Sequence, residues 1–183
     1  MTKVTKPLAA KRGFLNIKAP LTSSDEPITN PVRVYRNSPR QHHKAVYEMA
    51  YHFKKEFHYD FTMYGLDENE PDEKRAAYLW VHPQYVDKAI EYKVPCVGAT
   101  CFRFRDYEDA PSSWAMQWVW FHPYLRKKRL LSESWAHFSK EFPDFICEPP
   151  FSPAMKLFLE KVDPVKLDSW KQFTKSALSI RAS

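Results

Sequence analysis

Glycine is scarce in this chain, three residues in 183 (Gly13, Gly65 and Gly98), which excludes a flexible low-complexity protein and argues against dependence on glycine-rich loops. Cysteine is equally sparse. Cys96, Cys101 and Cys147 are odd in number and form no C-x-x-C pair, so neither a disulfide framework nor a structural zinc site is expected, and a reducing compartment is. Adjacent His42 and His43 point to different faces of any helix and have no second pair at i, i+4 spacing, so no metal is expected either. No apolar run reaches membrane-spanning length, and the opening MTKVTKPLAAKRGF is basic without an apolar leader core. The expectation is a cytoplasmic location with no membrane partner, or a nuclear one in a eukaryotic host.

What the chain does have is aromatic bulk and positive charge. Aromatics at 16% and hydrophobics at 44% are enough for a packed core, and 183 residues suit one domain rather than two. A net charge of +6 allows an anionic partner, whether cofactor phosphates, nucleic acid or an acidic protein, and is equally met on ordinary solvated surfaces. Part of it lies in residues 1–31, where Lys3, Lys6, Lys11, Arg12 and Lys18 are interspersed with Pro7, Pro20, Pro27 and Pro31 and no apolar period is sustained. That segment reads as an extended basic arm, either a solvating or partner-bound tail or an arm that tracks nucleic acid. The folded domain is expected over 32–183.

Within it, Val32 to Arg36 alternates apolar and basic residues as a strand does. Ser38-Pro39 is a helix start, and Val46, Met49, Ala50, Phe53 and Phe57 line one face of the helix that follows. Tyr59 to Lys74 reads as a loop or short helix whose acids, Asp67, Glu68, Glu70, Asp72 and Glu73, either attract a cationic amine or are simply solvated. Strands are expected at Ala76 to His82 and at Val94 to Phe104, the second with Gly98 at a bulge or close backbone approach, and Arg105 to Ser113 as a polar turn. Phe145 to Glu148 is short and strand-like. Ser152-Pro153 then opens a helix with Met155, Phe158, Leu159 and Val162 on its apolar face, and Leu167, Trp170, Phe173 and Leu178 mark a last helix or strand.

The stretch Trp114 to Trp135, WAMQWVWFHPYLRKKRLLSESW, organises the rest. Ala115 to Phe121 is β-favouring with no polar alternation beyond Gln117, which suits a strand covered on both faces. His122-Pro123 ends it. Arg126, Lys127, Lys128 and Arg129 open a segment in which Leu131, Trp135, Phe138 and Phe142 recur at helical spacing until Pro143. A strand that turns through basic residues into a helix N-terminus outlines an anion site, because free backbone N–H groups and the helix dipole both favour negative charge there.

Phe121-His122-Pro123-Tyr124-Leu125-Arg126-Lys127-Lys128-Arg129-Leu130-Leu131-Ser132 also reads without gaps on the pattern V-H-P-x-[YF]-R-G-K-G-[IL]-G-S. It thereby resembles the segment with which GNAT-superfamily acetyltransferases join strand four to helix three and hold the acetyl-CoA pyrophosphate. Arg126 and Lys128 agree with the pattern, while Lys127, Arg129 and Leu131 stand where the family usually has small residues, two of them glycines. The run is also similar to the cohesin-type acetyltransferases, a divergent branch rich in Arg and Lys after an aromatic strand. Further on, Ser152 to Lys161 resembles the general pattern N-x-x-A-x-x-[LF]-Y-E-K with Ser152 at the Asn, Met155 at the Ala and Leu159 at the Tyr, and Ser152-Pro153 with Lys156-Leu157-Phe158 matches the cohesin-type T-P-D-G-K-L-F. The resemblance covers about residues 32 to 162.

It implies a mixed α/β fold with a mostly antiparallel central sheet, splayed fourth and fifth strands and helices on both faces. It further implies an acetyl-CoA-dependent N-acetyltransferase, with Phe121, Arg126, Lys127, Lys128, Arg129, Leu130, Leu131, Ser132 and Ser152 binding acetyl-CoA as co-substrate and an amine, a protein's among the candidates, as acceptor. For the base, Glu148 at the end of the family's fifth strand comes first and His122 at the end of the fourth second. Leu159 replaces the family's usual acid, so Tyr124 or a water would stand in for it. A catalytically inactive module of the same fold, binding nucleic acid or a protein partner, is the other reading.

Overall fold

A computed structural model describes residues 16–18, 31–66, 72–81, 93–107 and 110–168. Its strands are β1 (Asn16–Lys18), β2 (Val32–Val34), β3 (Arg75–Val81), β4 (Lys93–Tyr107), β5 (Ala110–Phe121) and β6 (Ile146–Cys147), and its helices are α1 (Arg40–Phe57), α2 (Leu130–Glu141) and α3 (Pro153–Val162). The sheet order is β2-β3-β4-β5-β6, with β1 added to β4 through Asn16↔Pro95 to Lys18↔Lys93. All pairings are antiparallel except β5 with β6.

Side-chain alternation lets one sheet be covered twice. In β3, Ala77, Leu79 and Val81 join the core under α1, whose Ala45, Val46, Met49 and Ala50 form its buried stripe. Ala76, Tyr78 and Trp80 join the opposite core with Trp135 and Phe138 of α2 and Leu159 of α3. All seven β3 residues are therefore buried, and the expected mixed α/β architecture with helices on both faces is present. The second core is the more aromatic: the Phe102 ring lies 4.6 Å from Phe142, 5.0 Å from Phe138 and 5.3 Å from Phe145. Phe102→Ala would cost about 3–5 kcal/mol.

One break in this alternation, in β5, bears on the site. Cys101 faces Trp118 but Phe102 faces Met116, so Gln117 is an extra residue and a β-bulge. Met116 consequently joins the α2 and α3 side while Trp118 and Trp120 join the α1 side. The unalternating run Ala115 to Phe121 thus reflects a bulge as well as double coverage. Gly98 is opposite the far end of the strand, where a Cβ would lie 2.4 Å from Phe121 Cδ1 and 2.9 Å from the Trp120 carbonyl oxygen, and the β3–β4 register slips by one residue beside it, so it sits at both a close approach and a bulge.

Several boundaries differ from expectation. Arg105 to Ser113 is no free turn: β4 runs to Tyr107 and β5 begins at Ala110, because a hairpin ladder can continue past the core with polar residues on it. α1 begins at Arg40, one turn residue later than Ser38-Pro39 implied, since the Ser38 hydroxyl accepts the Tyr35 N–H at 2.9 Å instead of capping the helix. The described part of 59–74 contains no helix; Asp72 accepts the Arg36 N–H at 2.8 Å, and Asp67, Glu68 and Glu70 lie outside the described residues. Of the expected arm, Asn16–Lys18 is a sheet strand and the rest of 1–30 lies outside the described residues. Beyond α3 the chain is helical at 164–168, and the expected element over Trp170, Phe173 and Leu178 likewise falls outside.

Candidate functional site

β5 and β6 pair over two positions only, Ala115↔Ile146 and Met116↔Cys147, extended by the Glu148 N–H donating to the Met116 carbonyl at 3.0 Å. Past that point β5 continues to Phe121 with no β6 partner, and the segment after β6 leads through Pro149 and Pro150 to α3. The strands part, and a cleft of about 960 Å³ opens between them. One side is the loop from Leu125 into the first turn of α2, the other is Phe151 and the start of α3, and the cleft continues to the C-terminal end of α1 at Phe53, Phe57 and Tyr59.

The loop has an unusual backbone. Lys127 and Arg129 sit in left-handed conformations, φ 61° and 64°, which cost a residue with a Cβ about 1–2 kcal/mol each. Left-handed positions in such a turn direct backbone N–H groups into a common concavity. Arg129 is also the N-cap of α2 and makes no side-chain cap, and the Ser132 hydroxyl turns back to donate to the Arg129 carbonyl at 2.8 Å. The first-turn donors of α2 are therefore not closed by a capping side chain, and exposed Lys127, Lys128 and Arg129 surround them.

Arg126 does something else. Its guanidinium forms a two-pronged pair with Glu56 of α1 (Nη1 to Oε1, 2.7 Å), and its Nε donates to the Phe121 carbonyl at 3.0 Å. Glu56 also accepts the Trp120 indole N–H at 2.8 Å. The Arg126 hydrogen bond is the main reason the Glu56 carboxyl is held below its ordinary value, with burial acting the other way. Arg126 thus fastens the loop to α1.

Glu148 lines the cleft, and both its oxygens are bonded by Arg105, Nε to Oε1 at 2.8 Å and Nη2 to Oε2 at 3.3 Å. His122 and Tyr124 stack on each other outside the cleft lining, ring centroids 5.3 Å apart, with Tyr124 56% exposed. Ser152 lines the cleft, but its hydroxyl accepts the Met155 N–H at 3.2 Å as the cap of α3. Leu159 is fully buried in the core instead of facing the cleft, so a tyrosine there would be overpacked rather than tolerated. Phe121, Leu130 and Leu131 line the cleft. The structure therefore brings together Phe121, Arg126 to Ser132, Glu148 and Ser152, with Arg126 paired to Glu56, and leaves His122 and Tyr124 apart from them.

Sequence reasoning missed Arg105, assigned to a turn, and the far wall made by Phe53, Phe57, Tyr59 and Trp118. Tyr59 is the one phenol among the described lining residues, and burial raises its pKa, keeping the O–H protonated. Cys147 is buried, and burial pushes its thiol up to about 12, which removes it as a nucleophile at neutral pH. No signal in the sequence marks the far wall, because it exists only where the end of α1 meets a bulged β5. Among the described residues no three His, Cys, Asp or Glu side chains gather as a metal site would need, and no helix is long and apolar enough to cross a membrane. No family model matches the chain, and no curated protein matches it either.

Proposed function

We propose that this chain is a GNAT-type acyltransferase that moves an acetyl group from acetyl-CoA to an amine. The observation that carries the reading is the backbone at Lys127 and Arg129: two of the three positions where the family pattern has glycine are left-handed here without glycine, immediately before an uncapped helix that holds the third, Leu131, at the mouth of the cleft. Left-handed residues with a Cβ persist only where the surrounding structure enforces them, and such strain clusters at ligand-binding sites. The residues fit the cofactor in kind: N–H groups and three cations for the phosphates, and Phe151, Met155 and Phe158 for its apolar arm.

When bound, acetyl-CoA supplies the thioester whose C–S bond breaks as the C–N bond to the acceptor forms. In this reading Glu148 takes the proton released by the amine, directly or through water, and Arg105 orients its carboxylate. Tyr59, held protonated by burial, offers a proton to the departing sulfur in place of the residue that Leu159 replaces.

A second reading, a non-catalytic module that binds an anionic partner on the same fold, is favoured by the pairing of Glu148 with Arg105 and by the buried Leu159. Calorimetry with acetyl-CoA, followed by acetyl transfer to a panel of amines, separates the two. Saturable binding with turnover that drops about a hundredfold in Glu148→Gln supports the enzyme. Binding without turnover supports the module, and no binding at millimolar acetyl-CoA ends the GNAT assignment.

A further inference from the structure

The cleft has two ends of opposite character. At one, Lys127, Lys128 and Arg129 place positive charge around the open first turn of α2. At the other, where it reaches the C-terminal end of α1, its lining residues are Phe53, Phe57 and Tyr59, and none of them is charged. The Phe53 ring lies among its neighbours, with centroids 4.9 Å from Phe57, 5.3 Å from Tyr59 and 5.9 Å from Trp118. Phe57 is 38% exposed, and Phe53 and Tyr59 are half-buried, so this wall keeps apolar surface in contact with water that a ligand can cover. The two ends belong to one cleft: Met116 and Phe121 line it from the α2 and α3 side of the sheet, Trp118 and Trp120 from the α1 side, and Glu148 from where β5 and β6 part.

Charge narrows what covers that wall. The cations lining the cleft are Arg126, Lys127, Lys128, Arg129 and Lys161, and the one acid on the lining, Glu148, is paired with Arg105. An acceptor amine, cationic until it loses its proton, gains nothing from such surroundings. An acetyl group offers the wall a single methyl. A polyanionic head joined to a long apolar tail matches both ends, the head by charge and the tail by burial.

Resting on the acyl-transfer reading, we infer that the donor this cleft prefers is a medium-chain acyl-CoA, its phosphates at the Lys127 to Arg129 loop and its acyl chain lying on Phe53 and Phe57. The transfer is the one described above with a longer acyl group: the C–S bond breaks as the C–N bond forms, the amine gives its proton to Glu148, and the departing sulfur takes one from Tyr59. Calorimetric titrations of the full chain with CoA, acetyl-CoA, butyryl-CoA, octanoyl-CoA and free octanoate test it. Affinity is expected to rise along the acyl series, octanoyl-CoA binding about a hundredfold tighter than acetyl-CoA, because each methylene taken out of water contributes up to about fourfold. Phe57→Ala, at a position exposed enough to be compatible with folding, is expected to cut the ratio of octanoyl-CoA to acetyl-CoA affinity about tenfold, and an unchanged ratio would mean that the chain does not lie on the α1 wall. If acetyl-CoA binds and octanoyl-CoA binds no tighter, or if octanoate alone binds as tightly as its CoA ester, the inference fails and the acetyltransferase reading stands. If none of the CoA compounds binds, the parent reading fails and takes the inference with it.

Discussion

Helices α2 and α3 both start at the cleft, and their first turns are built in opposite ways. α3 is closed by its own sequence: Pro153 needs no hydrogen-bond partner for its nitrogen, and the Ser152 hydroxyl takes the Met155 N–H. α2 is preceded by two strained left-handed residues, has an arginine at its cap that caps nothing, and carries cations around its open donors. The closed start contributes stability and leaves little for a ligand to bond. The open start gives up stability and keeps its donors available, which is the arrangement expected where selection acts on binding.

The comparison can be broken or sharpened by measurement. The largest effect is expected from Lys128→Ala combined with Arg129→Ala, about 3 kcal/mol of acetyl-CoA affinity, or roughly a hundredfold in Kd by calorimetry. An unchanged Kd would mean that the open start is not the phosphate site. Next comes Gly98→Ala, which drives a methyl into Phe121 at the strand end that carries the loop, and is expected to lower the urea-unfolding free energy by about 2 kcal/mol. A neutral result would show that Phe121 can move aside.

The two helix starts are then set directly against each other. Ser152→Ala is expected to destabilise by about 1 kcal/mol through the lost cap, whereas Arg129→Gly is expected to stabilise by about 0.5 kcal/mol, since glycine relieves the left-handed strain at some entropic cost. Same-sign shifts in melting temperature would remove the contrast. The smallest effect concerns the fastening of the loop to α1. The Glu56 carboxyl titrates below its ordinary value of 4.5, so its contribution to stability is complete above the unfolded-state pKa and is lost as pH falls through the folded one. The stability gap between the wild type and Glu56→Gln should therefore narrow as the pH drops below 4.5, and a constant gap would show that the Arg126 pair does not stabilise the fold.

The start of α3 was legible because it is local: Ser-Pro before a 3.6-residue apolar period specifies both cap and face without help from the rest of the chain. The loop at Arg126 to Arg129 was legible as a basic turn before a helix, and its order of residues was enough to suggest a phosphate site. That Lys127 and Arg129 adopt backbone conformations typical of glycine was not, because nothing in lysine or arginine favours them. The role of Arg126 was equally hidden, since Glu56 lies 70 positions away and meets it only when α1 crosses β5. Glu148 could be picked out as a carboxylate at a strand end; its partner Arg105 could not, because the side chains approach only across a hairpin whose strands run past the expected turn.

What the sequence by itself determined is whatever short-range chemistry controls: three amphipathic helices, an aromatic hairpin, the basic turn and the capped start of the last helix. Tertiary structure decided the rest. The bulge at Gln117 arises because β5 must serve two cores while leaving β6, and it sends Trp118 to one face and Met116 to the other. The residues on either side of the bulge line the cleft, and among the described residues the Trp118 N–H has no partner. No local period encodes this, because it is a compromise among strands and helices that meet only in the folded chain.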